Sequence, residues 1–142
     1  MKKVAWILSV AGILAFSACD QPEHRAGTGD IRGPYIVESV LAASLSDNGF
    51  PEGITDVFNR GDEVYLWILW DNFDDFHKIN VVWLQPSGAT YAEDSVIVDG
   101  DGLKVTYFMV RLSEIAQSGE WEVQIYLDDV FRRSLFFYVS QP

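Results

Sequence analysis

Residues 120–139 read EWEVQIYLDDVFRRSLFFYV, and the alternation within this stretch decides the fold class. Every second residue from Trp121 to Leu127 is large and apolar, whereas the residues between them are mostly polar. Because successive side chains of a strand point to opposite faces of a sheet, this pattern predicts a strand with one buried face. A second strand, Phe131–Val139, follows a turn at residues 128–130. We therefore expect an antiparallel hairpin here.

Further strand candidates precede this hairpin, and turn signals rich in Gly, Pro, Asn and Asp separate them. Their spacing near 8–12 residues is typical of a sandwich or a barrel. A single helical turn is expected over Leu112–Gln117. Trp83 and Trp121 each lie on a regularly apolar strand face and are predicted core residues. The other predicted strands are Tyr35–Ala42, Ile54–Phe58, Glu63–Asp71, Lys78–Leu84, Thr90–Val98 and Leu103–Arg111.

The closing hairpin resembles that of many bacterial immunoglobulin-like domains. The resemblance lies in Gly119–Val123, Tyr126–Asp128 and Phe137–Val139, and in Trp83 followed by Pro86-Ser87-Gly88. It implies an all-β fold, an immunoglobulin-like antiparallel β-sandwich over residues 34–142. It implies nothing about function, since this fold class serves adhesion, ligand binding and assembly.

The first 19 residues, MKKVAWILSVAGILAFSAC, have the pattern of a secretory signal. Lys2 and Lys3 precede the apolar run Val4–Phe16, which at 13 residues is shorter than the ~20 that a membrane-spanning helix needs. We predict a cleaved signal peptide over residues 1–18. Cys19 is the only cysteine of the chain, so an exported protein has no second thiol for an internal disulfide.

Cys19 and the residues before it resemble the lipobox of bacterial lipoproteins. The resemblance implies that Cys19 is acylated and becomes the first residue of the mature chain, anchored by two or three acyl chains. Residues 19–33, with three glycines and a proline, are expected to form the lipidated end and a flexible tether. Asp20 and Gln21 resemble a signal for retention at the cytoplasmic membrane, which we favour over the outer membrane. The predicted location is extracytoplasmic.

The charge of the chain argues against nucleic acid as a partner. After removal of the signal peptide, 8 basic residues face 21 acidic ones, whereas phosphate binding needs clustered Lys and Arg. Such a domain is also repelled by anionic lipid, so membrane attachment depends on the acyl chains. The two histidines, His24 in the tether and His77, accompany no hydrolase elbow, phosphate loop or dinucleotide fingerprint. We do not expect an enzyme.

The loop that begins at Asp71 is the candidate metal site. Asp71, Asp74 and Asp75 concentrate carboxylate oxygens, which suit Ca²⁺. The alternative is a solvated loop, which we favour because the spacing matches no known calcium loop. Asp99–Gly102 also alternates Asp and Gly, but Asp-Gly is the usual signal for a hairpin turn, which is the interpretation we favour. No other cofactor is expected.

The segment Val64–Trp70 is apolar at both strand parities, which suggests a second covered or binding face. If its aliphatic residues at positions 64, 66 and 68 point inward, the residues between them point outward, and the last strand presents outward residues in the same way. If the two strands share a sheet, five outward residues form one partner-binding patch: Tyr65, Trp67, Leu69, Phe136 and Tyr138. The competing interpretation is that a loop, for example residues 72–77, covers this face.

These observations leave two functional hypotheses. The first is a membrane-anchored lipoprotein that binds another protein through this patch, as an assembly or interaction module. The alternative is a Ca²⁺-binding or carbohydrate-binding β-sandwich, because acidic loops flanked by aromatic residues suit both ligands.

Overall fold

The computed structural model describes residues 33–141 and places 70% of these described residues in strands, with no helix among them. The predicted signal peptide, Cys19 and the tether as far as residue 32 lie outside the described residues. No helix long and apolar enough to cross a membrane occurs within residues 33–141. The nine strands are β1 (Tyr35–Leu45), β2 (Pro51–Ile54), β3 (Val57–Asn59), β4 (Glu63–Phe73), β5 (His77–Leu84), β6 (Thr90–Val98), β7 (Gly102–Arg111), β8 (Gly119–Leu127) and β9 (Val130–Ser140).

The strands form two sheets that enclose one apolar core. The four-stranded sheet has the order β2-β1-β4-β7, and the five-stranded sheet has the order β3-β9-β8-β5-β6. All neighbouring pairs are antiparallel except β3 and β9, which run parallel. Two packed and mainly antiparallel sheets with this crossing connectivity make an immunoglobulin-like β-sandwich, which confirms the predicted fold class.

The core follows the predicted alternation. The odd-numbered residues from Trp121 to Leu127 are at most 1% exposed, and Trp83 is equally buried. Phe137 lies between the two tryptophans, with ring centroids 6.1 Å from Trp83 and 5.8 Å from Trp121. Every buried apolar residue of the described chain lies between positions 41 and 139, so this segment holds a complete core of its own.

Two local predictions are wrong. The predicted strand Ile54–Phe58 is two strands in different sheets, because the chain turns at Thr55, whose Oγ1 accepts a hydrogen bond of 3.1 Å from the amide of Val57. The predicted helical turn Leu112–Gln117 is a β-turn closed by one bond of 3.1 Å from Ala116 N to Ser113 O. Leu112 and Ala116 are both buried, and these packing demands override the local helical preference.

Asp99–Gly102 forms a turn, but it does not close a hairpin. Strand β6 belongs to the five-stranded sheet and β7 to the four-stranded sheet, so this segment carries the chain across the sandwich. Gly100 and Gly102 take φ angles of 111° and 77°, which other residues rarely adopt. By contrast, β8 and β9 do form the predicted hairpin, around Asp128 and Asp129 with φ angles of 51° and 68°.

Candidate functional site

The five residues of the predicted binding patch do not lie on one surface. Tyr65, Trp67 and Leu69 belong to β4 in the four-stranded sheet, whereas Phe136 and Tyr138 belong to β9 in the five-stranded sheet. The expected single patch is therefore wrong, because it required both strands in the same sheet. The structure instead presents two separate surfaces, one on each outer side of the sandwich.

On β4 the predicted parity is confirmed, and one aromatic residue is covered. Val64, Leu66 and Ile68 point into the core and have no exposed surface. Trp67 points outward but is only 5% exposed. Its indole Nε1 donates a 3.0 Å hydrogen bond to the carbonyl of Gly49, and Phe50 packs against the ring at 6.5 Å.

The loop that covers Trp67 joins β1 and β2. The competing prediction of a covering loop is thus met for Trp67, but by residues 46–50 rather than by the predicted segment 72–77. Tyr65 and Leu69, on either side of Trp67, are half-buried. They form the inner margin of a larger apolar surface.

Strand β7 supplies the rest of that surface. In the β4–β7 register Tyr65 lies opposite Met109, Trp67 opposite Tyr107, and Leu69 opposite Val105. The outward residues of β7 are exposed to between 43% for Met109 and 64% for Leu103. We call the resulting set of residues the outer apolar face. It comprises Tyr65, Leu69, Leu103, Val105, Tyr107 and Met109.

Strand β7 is also an open edge. It pairs only with β4, so its other side presents unpaired backbone N–H and C=O groups along ten residues. The edge strand of the other sheet on this side is β6, and an open groove of about 460 Å³ separates the two edges. Long apolar edges are uncommon in natural β proteins because they template pairing with another chain.

The charges on β7 differ from those of the rest of the chain. Residues 102–111 contain no carboxylate, although the whole sequence carries a net charge of −11. Lys104 and Arg111 are the charged residues of the strand, and Arg111 is 71% exposed with a single long contact of 3.8 Å to Glu63. Glu63 also accepts a 3.1 Å hydrogen bond from the Tyr65 hydroxyl, which raises the pKa of Tyr65.

The second surface is more polar. Phe136 and Tyr138 are about half-exposed, and they lie opposite Glu122 and Glu120 on β8. Ser134 donates a 2.6 Å hydrogen bond to Glu122, which also accepts one from Gln124 at 3.2 Å. Carboxylates thus stand beside each exposed ring, so this side does not form a continuous apolar surface.

The acidic loop does not assemble the predicted calcium site. Asp71 accepts hydrogen bonds from the Asn72 amide at 2.6 Å and the Tyr35 hydroxyl at 3.3 Å, and Asp74 accepts one from His77 at 3.1 Å. Within residues 33–141 no three His, Cys, Asp or Glu side chains converge as a metal-binding group. Asp71, Asp74 and Asp75 therefore do not share one ion in this geometry.

His77 joins this loop to the β8–β9 turn. Its Nδ1 lies 2.6 Å from Asp128 Oδ2, and its Nε2 lies 2.7 Å from the Asp74 carbonyl. Burial lowers the pKa of His77, but hydrogen bonds to Asp128 and Asp74 outweigh it and raise the pKa overall. Burial raises the pKa of Asp128, and the bonds from His77 and the Lys78 amide reverse that effect and lower it. Both ring nitrogens are engaged, so this histidine holds two loops together.

None of the exposed residues of β7 was among the predicted binding residues. Leu103, Val105, Tyr107 and Met109 are apolar at one parity, and Phe108 and Val110 make the second half of the strand apolar at the other parity as well. The signal that singled out β4 was therefore present in β7 as well. The same criterion, applied to β7, identifies the exposed half of the outer apolar face.

Comparison with known proteins supports the fold alone. No family model matches the chain, and no curated protein matches it. The C-terminal domain of Wzt superposes with a TM-score of 0.53 at 12% identity, over 78% of this chain and 75% of that domain. An alkylpurine DNA glycosylase of Pseudomonas fluorescens, solved bound to DNA, also gives 0.53, at 9% identity over 75% of this chain. The match spans only 30% of the glycosylase.

An immunoglobulin-like protein of Pseudomonas aeruginosa is covered completely, at 14% identity over 79% of this chain, with a TM-score of 0.48. The shared fold rests on the two matches with a TM-score of 0.53, and at 9–12% identity they say nothing about ligands.

Proposed function

We propose that this chain is a lipid-anchored extracytoplasmic module that binds protein through the outer apolar face. The observation that carries the proposal is the combination of exposed apolar side chains with an open backbone edge on β7. Tyr107, at the centre of this face, is 58% exposed. Aromatic and aliphatic side chains of this kind supply much of the binding energy at protein interfaces. The module acts by binding rather than by catalysis.

The anchor follows from the residues before the domain. The signal-like residues 1–18, the lone Cys19 and the polar segment up to Gly33 support acylation at Cys19 on the outer side of a bacterial membrane. Asp20 and Gln21 favour the cytoplasmic membrane. The domain starts where Asn72 donates a 3.0 Å hydrogen bond to the Gly33 carbonyl. Gly33, the first described residue, therefore lies beside the 72–76 loop.

Site-specific photocrosslinking in the membrane-anchored full chain tests this proposal. A benzoylphenylalanine at position 107 is expected to give covalent adducts heavier than the monomer. The matched control is position 138, because Tyr138 is a tyrosine of nearly equal exposure, 52%, on the other sheet. Position 138 is expected to give no adduct. Absence of adducts from position 107, or equal adducts from both positions, contradicts the proposal.

A further inference from the structure

We propose that β7 pairs antiparallel with β7 of a second copy of this chain, in a register centred on Thr106. This inference rests on the proposed function and names the partner for the same face. Pairing at the edge satisfies the free backbone groups of both strands and joins two four-stranded sheets into one of eight. A closed two-fold pair also leaves no further β7 edge exposed.

The register follows from the side chains of β7. With Thr106 opposite its own counterpart, Val105 of one copy lies opposite Tyr107 of the other, and Leu103 lies opposite Met109. All outward apolar residues of the strand then have apolar partners. The Val105–Tyr107 pair continues the rows that Leu69 and Trp67 begin on β4, and Met109 continues the row of Tyr65. Cross-strand pairs of aromatic and branched side chains are the contacts that stabilise sheets.

Charges at the two ends of the strand favour the same register. Centring on Thr106 places Asp101, just before β7, opposite Arg111 of the other copy, and symmetry creates this pair twice. A register centred on Val105 instead places Met109 opposite Asp101. A register centred on Tyr107 places Leu103 opposite Arg111. Arg111 is available for the new pair, because it is largely exposed and its contact with Glu63 is long.

The charge of β7 explains why an acidic protein associates at this edge. Two domains of high negative charge repel each other, and β7 brings no carboxylate of its own to the contact. Edge strand β6, by contrast, carries Glu93 and Asp94. Added salt is therefore expected to strengthen association, since it screens the overall repulsion more than the two short-range ion pairs.

Sedimentation equilibrium of residues 20–142 tests the pairing, because the described domain holds a complete core. The wild-type chain is expected to dimerise at concentrations up to about 1 mM, a range that detects even weak association. Tyr107→Lys is expected to weaken the dimer, and Tyr138→Lys, the matched control, to leave it unchanged. Circular dichroism and thermal melting verify that each variant is folded.

Charge exchange tests the register. Asp101→Arg and Arg111→Asp are each expected to weaken self-association about tenfold, because two attractive pairs become two repulsive ones. An equimolar mixture of the two variants restores both attractions and is expected to dimerise like the wild type. If the mixture dimerises no more tightly than either variant alone, the register and the proposal are overturned.

The outcomes separate this inference from the proposed function. If the wild-type chain stays monomeric at every protein concentration up to about 1 mM, the proposal that a second copy is the partner is overturned. Adducts from position 107 that contain a different protein overturn it as well, and they leave the proposed function standing. Adducts of twice the chain mass from position 107 support both.

Discussion

Replacing His77 by Gln is expected to remove a pH-dependent part of the stability of the domain. The His77 ring contacts Asp128 at 2.6 Å on one side and Asp74 at 3.1 Å on the other, and only 17% of its side chain is exposed. The charged imidazolium donates from both nitrogens, so it satisfies both partners at once. Gln keeps a donor of similar length but cannot carry the charge.

The direction of the effect follows from the pKa changes. The pKa of His77 is raised above 6.5, so its contribution is complete below that pH and disappears as the pH rises through the raised value. The pKa of Asp128 is lowered below 3.8, so its contribution is present above that pH and is lost on acidification. The advantage of the wild type over His77→Gln is therefore largest between about pH 4 and 6.5.

The size of the effect is limited by solvent. Buried hydrogen bonds to charged groups contribute about 1.5–3 kcal/mol, but the Asp128 and Asp74 side chains are 49% and 75% exposed. Screening reduces the expected loss to about 1 kcal/mol, equivalent to a fall in Tm of ~4 °C for a domain of this size.

Thermal melting from pH 5 to pH 9 measures this prediction. The difference in Tm between the wild type and His77→Gln should shrink toward high pH. Asp129→Asn is the control, because Asp129 occupies the same turn but pairs only with Lys78, at 3.3 Å. A difference that stays constant over this range contradicts the assignment of the charge to His77.

Three further predictions concern the core and the anchor. Trp83→Ala and Trp121→Ala should each lower the free energy of unfolding by ~3–5 kcal/mol, measured by urea denaturation; wild-type midpoints would show that the two rings are not core residues. Thr106→Val should cost ~1–3 kcal/mol, because the buried Trp70 indole loses its 2.9 Å acceptor, and the same substitution in a Trp70→Phe background should cost much less, because no indole N–H is then left unpaired. Cys19→Ser should abolish acylation, and an intact mass of the wild-type chain without acyl groups contradicts the anchor.

Strand faces are predictable from this sequence because alternation is a local property. Every second residue from Trp121 to Leu127 and from Val64 to Ile68 points inward, as the pattern indicates. Pattern alone also places Tyr65, Trp67 and Leu69 on the opposite side of β4. Apolar burial dominates the energetics of these strands, so the local signal and the fold agree.

Sheet membership is not a local property, and this is where the binding patch prediction failed. Nothing in Asp99–Gly102 distinguishes a hairpin turn from a crossing between sheets, since both need glycine at positive φ. The same limit hides the contact between His77 and Asp128, which are 51 residues apart. The cover on Trp67 likewise comes from the distant Gly49–Phe50 turn.

The free edge of β7 is proposed to pair with β7 of a second copy, and amide hydrogen exchange of the wild-type chain tests this pairing most directly. Strand β6 supplies an internal reference, because it is an edge strand of nine residues on the same side of the sandwich. At high protein concentration we expect every second amide of β7, those that face away from β4, to exchange much more slowly than at low concentration. The outward amides of β6 should exchange at the same rate at both concentrations. Outward amides of β7 that exchange as fast as those of β6 at every concentration contradict the claim.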